Sequence, residues 1–431
     1  MTLLKKISEI SFLHNAWTKL NRSNKNSKGF SNITIADFDR KLNENIKQIS
    51  DELISEQFQF SKIKGATIKK QDGGQRPLRI PEIKDRVVLK AIAIVLEDEL
   101  SDKFNLYNPY SFAYQKGKSI AQAISRMRHY YNEGYQTILE ADIVKFFDNV
   151  DRNKLLETIK TNISDPSLNN LLDEALNQEI ANIKELQNRG IYEDLFKSTE
   201  NGIPQGNPLS PLLANIYLSS FDALASTKDL KLIRYADDFI ILCKSYEEAK
   251  RAYLISKSEI EGNLGLDLYS LVEDRKEQAR RKCSKILNVK NQKFSFLSIR
   301  FDGTKTWVEE AKFEEFLSKI ERICIPNTST IDLSLLDSLV RLRNLLEGWI
   351  AAYHFADIDF QAKAADAFVN VYLYRLFSRH NFQLNKKYLI NTKLYRKGYK
   401  PLGISNKQRQ HSGVPFCSDI LKRIRGTDIK R

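Results

Sequence analysis

The sequence predicts an α+β fold in which a small antiparallel sheet presents acidic residues and helices supply most of the mass. Three observations lead there. Leu230 to Lys244, LKLIRYADDFIILCK, sets two apolar runs either side of the step Ala236-Asp237-Asp238, the pattern of a strand–turn–strand hairpin. Thr137 to Val150, TILEADIVKFFDNV, runs an apolar strand into Asp142, with Phe146-Phe147 four and five residues later. Phe38, Leu42, Ile46, Ile49 and Leu53 recur at spacings of three and four, one apolar face of a helix predicted over Ile35 to Gln57.

Paired carboxylates at the tip of a buried hairpin are costly unless a cation neutralises them. Taken alone, the Asp237-Asp238 step also reads as an acidic surface turn. The Asp142 block changes the balance, because a strand-end carboxylate beside that hairpin makes three converging acids. Such a hard-oxygen set suits two Mg²⁺ ions, with Mn²⁺ the natural substitute. Asp148 and Asp151 read as turn or helix-cap residues.

Composition narrows the class. The chain has 431 residues, 42% of them hydrophobic, and a formal charge of +14. Its pI of about 9.3 favours a polyanionic partner. No apolar run approaches the roughly 18 residues of a membrane span. Cys243, Cys283, Cys324 and Cys417 form no CxxC pair and the five histidines are scattered, which argues against a zinc site. Met1 to Trp17 lacks a signal-peptide core. A reduced, cytoplasmic, soluble protein without membrane contact is expected.

In chain order, Asn21 to Asn32 reads as a loop between helices. Ala66 to Pro81, ATIKKQDGGQRPLRIP, predicts a hairpin turning at Asp72-Gly73-Gly74. Lys70 and Arg76 flank that turn and could grip a triphosphate, or simply be solvated. Asp85 to Leu100 predicts a core helix. Asn108 to Ser119, NPYSFAYQKGKS, ends like a phosphate loop, but Phe112 stands where the first glycine is required. Its aromatics beside Lys116 and Lys118 suit either contact with a nucleic-acid strand or ordinary packing. Ser164 to Leu195 predicts helices. Asn201 to Asn215, NGIPQGNPLSPLLAN, is a loop opening into a helix that Ser210 would cap; Gln205 and the neighbouring backbone could face a template–nucleotide pair, or the stretch is a structural loop.

RPLRIP, the Asp142 block with its Phe pair, PQGNPLSP and YADD occur in the order found in reverse transcriptases. Over roughly Phe12 to Phe382 the chain resembles bacterial enzymes of the group II intron-like branch, and the four motifs together are specific where YADD alone is not. The resemblance implies a right-hand polymerase: an N-terminal helical extension at 1–60, fingers at 61–133 and a palm at 134–303 with a helical insertion near 160–199. A helical thumb at 304–385 and a basic tail at 386–431 would follow. It implies catalytic and metal-binding roles for Asp142, Asp237 and Asp238, and triphosphate contacts for Lys70 and Arg76. Gln205 would lie near the nascent base pair. Phe147 matches the steric gate that excludes a ribose 2′-hydroxyl, and so points to dNTPs and a DNA product.

Downstream, Leu264 to Leu268 resembles the motif that follows the catalytic hairpin, but the lysine usual a few residues later is not obvious before Arg275 and Lys276. Phe294 to Val308 predicts two strands around Asp302-Gly303 and resembles the primer grip, with Ser298 where glycine is common. Trp349 reads as core. Residues 386–431 hold 13 Lys/Arg against two Asp, a balance of +11, with tyrosines interleaved. Arg396, Lys397 and Lys400 there are expected to bind structured RNA, unless the tail is merely solvated.

No endonuclease ligands, no VTG element and an intact QGxxxSP pattern lead by elimination to a stand-alone enzyme copying a dedicated non-coding RNA in antiphage defence. The alternatives are a group II intron-type maturase without endonuclease, a non-catalytic RNA-binding protein on a polymerase scaffold, and a template-independent nucleotidyl transferase. Primer and oligomeric state are not legible.

Overall fold

In the computed structural model, the residues described are 1–69, 73–197, 201–278, 281–290, 292–325, 333–384, 388–390 and 401–428. The chain divides into two compact units, Met1–Ile286 and Leu287–Arg431.

The largest buried cluster of the first unit takes in the N-terminal helices and part of the sheet, and a smaller one gathers Ile63, Ile180, Leu186 and Phe196. Helices Leu3–Ser8, Ile10–Lys19 and Leu42–Ile54 bury Ile7, Leu13, Trp17, Ile46, Ile49 and Leu53. The helix predicted over 35–57 is broken at Lys41, whose φ of −116° and ψ of 32° separate Ile35–Arg40 from Leu42–Ile54. Thr34 and Asp37 form a capping box that fixes the start of the first piece. Helix Ile83–Leu100 carries apolar residues all round because it is buried on most sides.

Strands β1 (Lys64–Lys69) and β2 (Gln75–Ile80) form an antiparallel hairpin, with Ile68 paired to Arg76. Strands β3 (Thr137–Asp142), β4 (Lys231–Tyr235), β5 (Asp238–Cys243) and β6 (Lys285–Asn288) form one sheet in the order β4-β5-β3-β6. The unit boundary falls within β6. Strand β5 buries Phe239 through Cys243 in unbroken succession, the signature of a central strand covered on both faces. The helices between β3 and β4 include Arg152–Asn162, Asn169–Leu176, Ile183–Asn188 and Tyr192–Leu195. Asp151 caps the first of them by accepting from Lys154 N.

The second unit opens with a three-stranded antiparallel sheet, β7 (Phe294–Phe296), β8 (Ile299–Phe301) and β9 (Thr306–Val308). Two strands were expected here; the third arises because Leu297 and Ser298 form a tight turn, with φ of 54° and 61°. Helices Glu310–Cys324, Leu335–Tyr353 and Asp359–Arg379 follow, and Trp349 is core, stacked on Phe316 at 4.5 Å. The basic C-terminal stretch is folded in part. Helices Asn406–His411 and Cys417–Asp428 belong to this unit, and fully buried Arg409 donates to Asp366 Oδ1 at 3.1 Å. All four cysteines are free thiols. Among the described residues no helix is long and apolar enough to cross a membrane.

Candidate active site

The geometry of the site follows from the register of β3 against β5. Asp142, the last residue of β3, pairs directly with Asp238, the first of β5. Residues directly opposite one another in an antiparallel pair share a face, so the two carboxylates are neighbours. Tyr235 pairs with Asp238 on the other side, leaving Ala236 and Asp237 as the two-residue turn between β4 and β5. Ala236 adopts φ of 59°, the left-handed conformation that the first central position of a type II′ turn requires and that glycine usually supplies.

The electrostatics record the crowding. Desolvation by the surrounding chain, then the charges of Asp142 and Asp237, push the Asp238 carboxyl up to about 7, although the residue still reaches solvent. Burial also raises Asp142, with Asp237 adding to it, against the opposing pull of the Lys282 ammonium. Lys282 forms an ion pair with Asp142 Oδ2. Burial pulls the lysine down, but the hydrogen bond and charge of Asp142 outweigh it and hold the ammonium above its ordinary range.

Asp142 Oδ1 is buried and has no hydrogen-bond partner. A buried carboxylate oxygen left without a donor, on a residue paired with Asp238 and under the charge of Asp237, fits a divalent cation. The described residues do not form a ready-made cage of three acid, histidine or cysteine ligands. Lys282 supplies the counter-charge at Asp142 instead.

The 264–270 stretch continues the site beyond β3. Val144 N donates to Asp267 O at 2.8 Å, Tyr269 N to Asp142 O at 3.1 Å, and Ile143 bridges Leu268. Leu271 bridges Ser284, and Ser284 N donates to Ser270 O, which returns the chain so that Lys282 lies over the Tyr269 ring and meets Asp142. Lys282 was not among the site residues expected from the sequence. Only the cluster Arg281-Lys282 before Cys283 hinted at it, and no spacing rule singles it out.

Phe147 lies five residues past Asp142 in the short helix Phe146–Asn149, edge-on to Phe146 at 5.3 Å. Its carbonyl accepts from Ile203 N at 2.8 Å, which joins it to the PQGNP loop. Gly202, at φ of 94°, lets this approach happen; a Cβ there would lie 3.0 Å from the carbonyl oxygens of Phe147 and Asp148. Gln205 is half-buried, and its carbonyl accepts from Arg79 N at 2.8 Å, docking the loop on β2. Ser210 does not cap its helix. It is the first residue of Ser210–Tyr217, and its hydroxyl donates to Pro204 O at 2.7 Å, so that it braces the loop.

Arg76 is exposed on β2. Its charge, opposed by those of Asp237 and Asp238, acts on Tyr114, whose phenol is raised chiefly by burial. Tyr114 itself has φ of 61° and is half exposed, and so belongs to the surroundings of the hairpin tip. Lys116 is exposed. Lys118 is turned inward: its ammonium donates to Ser111 O at 2.7 Å and to Asn108 O, which ties down the loop and leaves little of it for a nucleic-acid strand. Lys70, Arg396, Lys397 and Lys400 lie outside the described residues.

Asp142 and Asp238 thus stand opposed at the end of an antiparallel sheet, beside the turn that carries Asp237. Residues 68–302 match the family described as reverse transcriptase (RNA-dependent DNA polymerase), and the chain belongs to that family. Its fold is accordingly the α+β right-hand polymerase. It is 27% identical over 230 residues to the putative COX1/OXI3 intron 2 protein of Saccharomyces cerevisiae, covering 52% of this chain and 25% of that protein. It is 29% identical over 177 residues to the group II intron-encoded protein LtrA of Lactococcus lactis subsp. cremoris, covering 40% of this chain and 26% of the relative. Among solved structures it resembles a chain of the partial Cas6-RT-Cas1–Cas2 complex at 29% identity and a TM-score of 0.35, covering 61% of this chain and 43% of that one. The match thus spans about a quarter of either curated relative.

Proposed function

We propose that this chain is an RNA-directed DNA polymerase that joins dNTPs on an RNA template. The observation that carries the reading is the direct pairing of Asp142 with Asp238, with a buried oxygen of Asp142 left without a donor. Asp142, Asp237 and Asp238 would hold two Mg²⁺ ions. Bound there, they supply Lewis-acid activation of a primer 3′-hydroxyl and neutralise the leaving pyrophosphate. Arg76 offers the triphosphate an exposed guanidinium fork. The Phe147 ring, held by Phe146 and the Ile203 hydrogen bond, is the group that would exclude a 2′-hydroxyl.

We infer further that the template is a dedicated structured RNA and the setting antiphage defence. The excess of cations in residues 386–431 supports RNA as the partner. A second reading, a maturase-type enzyme acting on intron RNA, is favoured by the intron-encoded relatives. Purifying the protein from its native locus and sequencing the bound RNA and DNA separates the two, with the Asp237→Ala, Asp238→Ala double variant as control. One abundant non-intron RNA with complementary DNA only in the wild type supports the first reading, and intron RNA the second. DNA matching no bound RNA removes both and leaves terminal transfer. Loss of DNA with RNA binding retained in the double variant rules out a purely RNA-binding role.

A further inference from the structure

Arg234 is fully buried on β4, one residue before the catalytic hairpin begins to turn, and every branch of its guanidinium is engaged. Nε donates to Asp222 Oδ1 at 2.7 Å and Nη2 to Asp222 Oδ2 at 2.5 Å, a bidentate pair. Nη1 donates to Asn215 Oδ1 at 3.3 Å and to the Ala236 carbonyl at 2.9 Å. That last bond reaches the residue immediately before Asp237, the one held at φ of 59°.

A buried ion pair is a poor device for stability, because well-packed apolar residues of equal volume serve as well or better. What it does supply is direction. A guanidinium clamped by a carboxylate on one edge presents its remaining N–H groups at a fixed angle. Here that angle is spent on a carbonyl in a strained turn.

The same carboxylate reaches a second part of the site. Asp222 Oδ2 also accepts from Asn108 Nδ2 at 2.9 Å, and Asn108 Oδ1 accepts from Tyr110 N at 2.9 Å and Ser111 N at 3.0 Å. Arg234 N donates to Tyr110 O and Phe112 N to Arg234 O, so the 110–112 segment runs beside β4 toward the tip. Tyr114 follows two residues later. A continuous buried polar chain therefore joins the loop bearing Tyr114 to the turn bearing Asp237.

We propose that Arg234 is a positioning residue for the metal-binding turn, set by Asp222, and that Asn108 couples the 108–118 loop to the same anchor. The inference rests on the polymerase reading of the site. It requires that the turn lose its geometry when the guanidinium is unclamped, and that a residue needing no help to adopt positive φ restore it.

The test uses the full chain and Mn²⁺ as the metal probe, with free Mn²⁺ read by electron paramagnetic resonance and primer extension measured alongside. Asp222→Asn is expected to weaken Mn²⁺ binding about tenfold and to lower kcat about 10²-fold, with the dNTP KM within about threefold of wild type. Adding Ala236→Gly to Asp222→Asn should recover at least about tenfold of the lost kcat and tighten Mn²⁺ binding, since glycine enters the left-handed region without strain. Should Asp222→Asn fail to fold, Asn215→Ala removes a single acceptor from the clamp and should weaken Mn²⁺ binding about threefold. Wild-type Mn²⁺ binding and kcat in a folded Asp222→Asn or Asn215→Ala variant would overturn the proposal. So would a loss that follows the unfolded fraction and is untouched by Ala236→Gly. If wild type extends no primer, the polymerase reading fails, while the Mn²⁺ comparison still decides whether Arg234 sets the turn.

Discussion

Lys282 closes an ion pair on Asp142, the carboxylate that lies directly across the sheet from Asp238. The lysine arrives from a segment more than a hundred residues downstream, yet it provides the positive charge that the acidic site needs when no cation is bound. Its side chain is 64% exposed, so solvent screens the pair and keeps it worth on the order of 0.2–1 kcal/mol. A cation held by Oδ1 of the same carboxylate would compete with this ammonium for its charge. Lys282→Ala should therefore tighten Mn²⁺ binding by about 1.4- to fivefold, the ratio that this energy allows. Titration of wild type and variant by isothermal calorimetry checks this, and weaker binding in the variant would show that the lysine assists rather than competes.

Phe147→Val shortens the ring offered as the gate while keeping an apolar side chain against Phe146. The preference for dNTPs over rNTPs should fall by about 10- to 100-fold, chiefly through faster use of rNTPs. Single-nucleotide incorporation with paired dNTP and rNTP concentrations measures it. An unchanged ratio would move the gate elsewhere.

Gly206 has φ of 103°, and a Cβ there would stand 2.9 Å from the Arg79 carbonyl oxygen. Gly206→Ala should cost about 1–3 kcal/mol and raise the dNTP KM, since the PQGNP loop can no longer dock on β2. Gly190→Ala is the control: its φ is 66° but a Cβ would meet nothing within 4 Å. Urea unfolding of the two variants should separate the contact from the backbone strain, and equal losses would deny the contact its importance.

Asp85 is fully buried; its Oδ2 accepts from Ser61 N at 2.9 Å, and its Oδ1 has no partner. Burial pushes its carboxyl up to about 6. The folded chain thus holds this proton more tightly than the unfolded one, where an aspartic acid titrates near about 3.9. Its favourable contribution is complete below about pH 3.9 and is lost as pH rises to about 6. Asp85→Asn removes that loss and should be more stable than wild type above about pH 7, by at most about 3 kcal/mol. Unfolding at pH 5 and pH 8 tests it, and a pH dependence identical in the two proteins would contradict it.

The parts of the site legible in the sequence are those built from neighbours in the chain. The apolar runs around YADD read as a hairpin and those before Asp142 as a strand, so the opposed acids are legible from local pattern once the two strands share a sheet. Contacts made across long separations were not legible. Lys282 reaches Asp142 through the bridge of Leu271 to Ser284, which no periodicity announces. Lys118, beside the aromatics of NPYSFAYQKGKS, suits a nucleic-acid contact by composition, but the carbonyls of Asn108 and Ser111 draw it in. The fold of the basic C-terminal stretch was hidden for a similar reason: composition shows charge, not the buried acceptor Asp366 that orders Arg409 from 43 residues away. Arg234 carries no signal of its own in the sequence, where it is one cation beside Leu232-Ile233. Only its partners show that it faces inward.

The most direct measurement is primer extension on an RNA template with dNTPs and Mg²⁺, comparing wild type with Asp237→Asn and Asp142→Asn. Full-length complementary DNA from wild type, with rates at least about 10³-fold lower in each variant while the fold and RNA binding persist, is the expected result for a site in which these carboxylates hold the metals. Templated synthesis that survives either substitution would contradict the assignment of the active site, and DNA whose sequence ignores the template would contradict the assignment of the reaction.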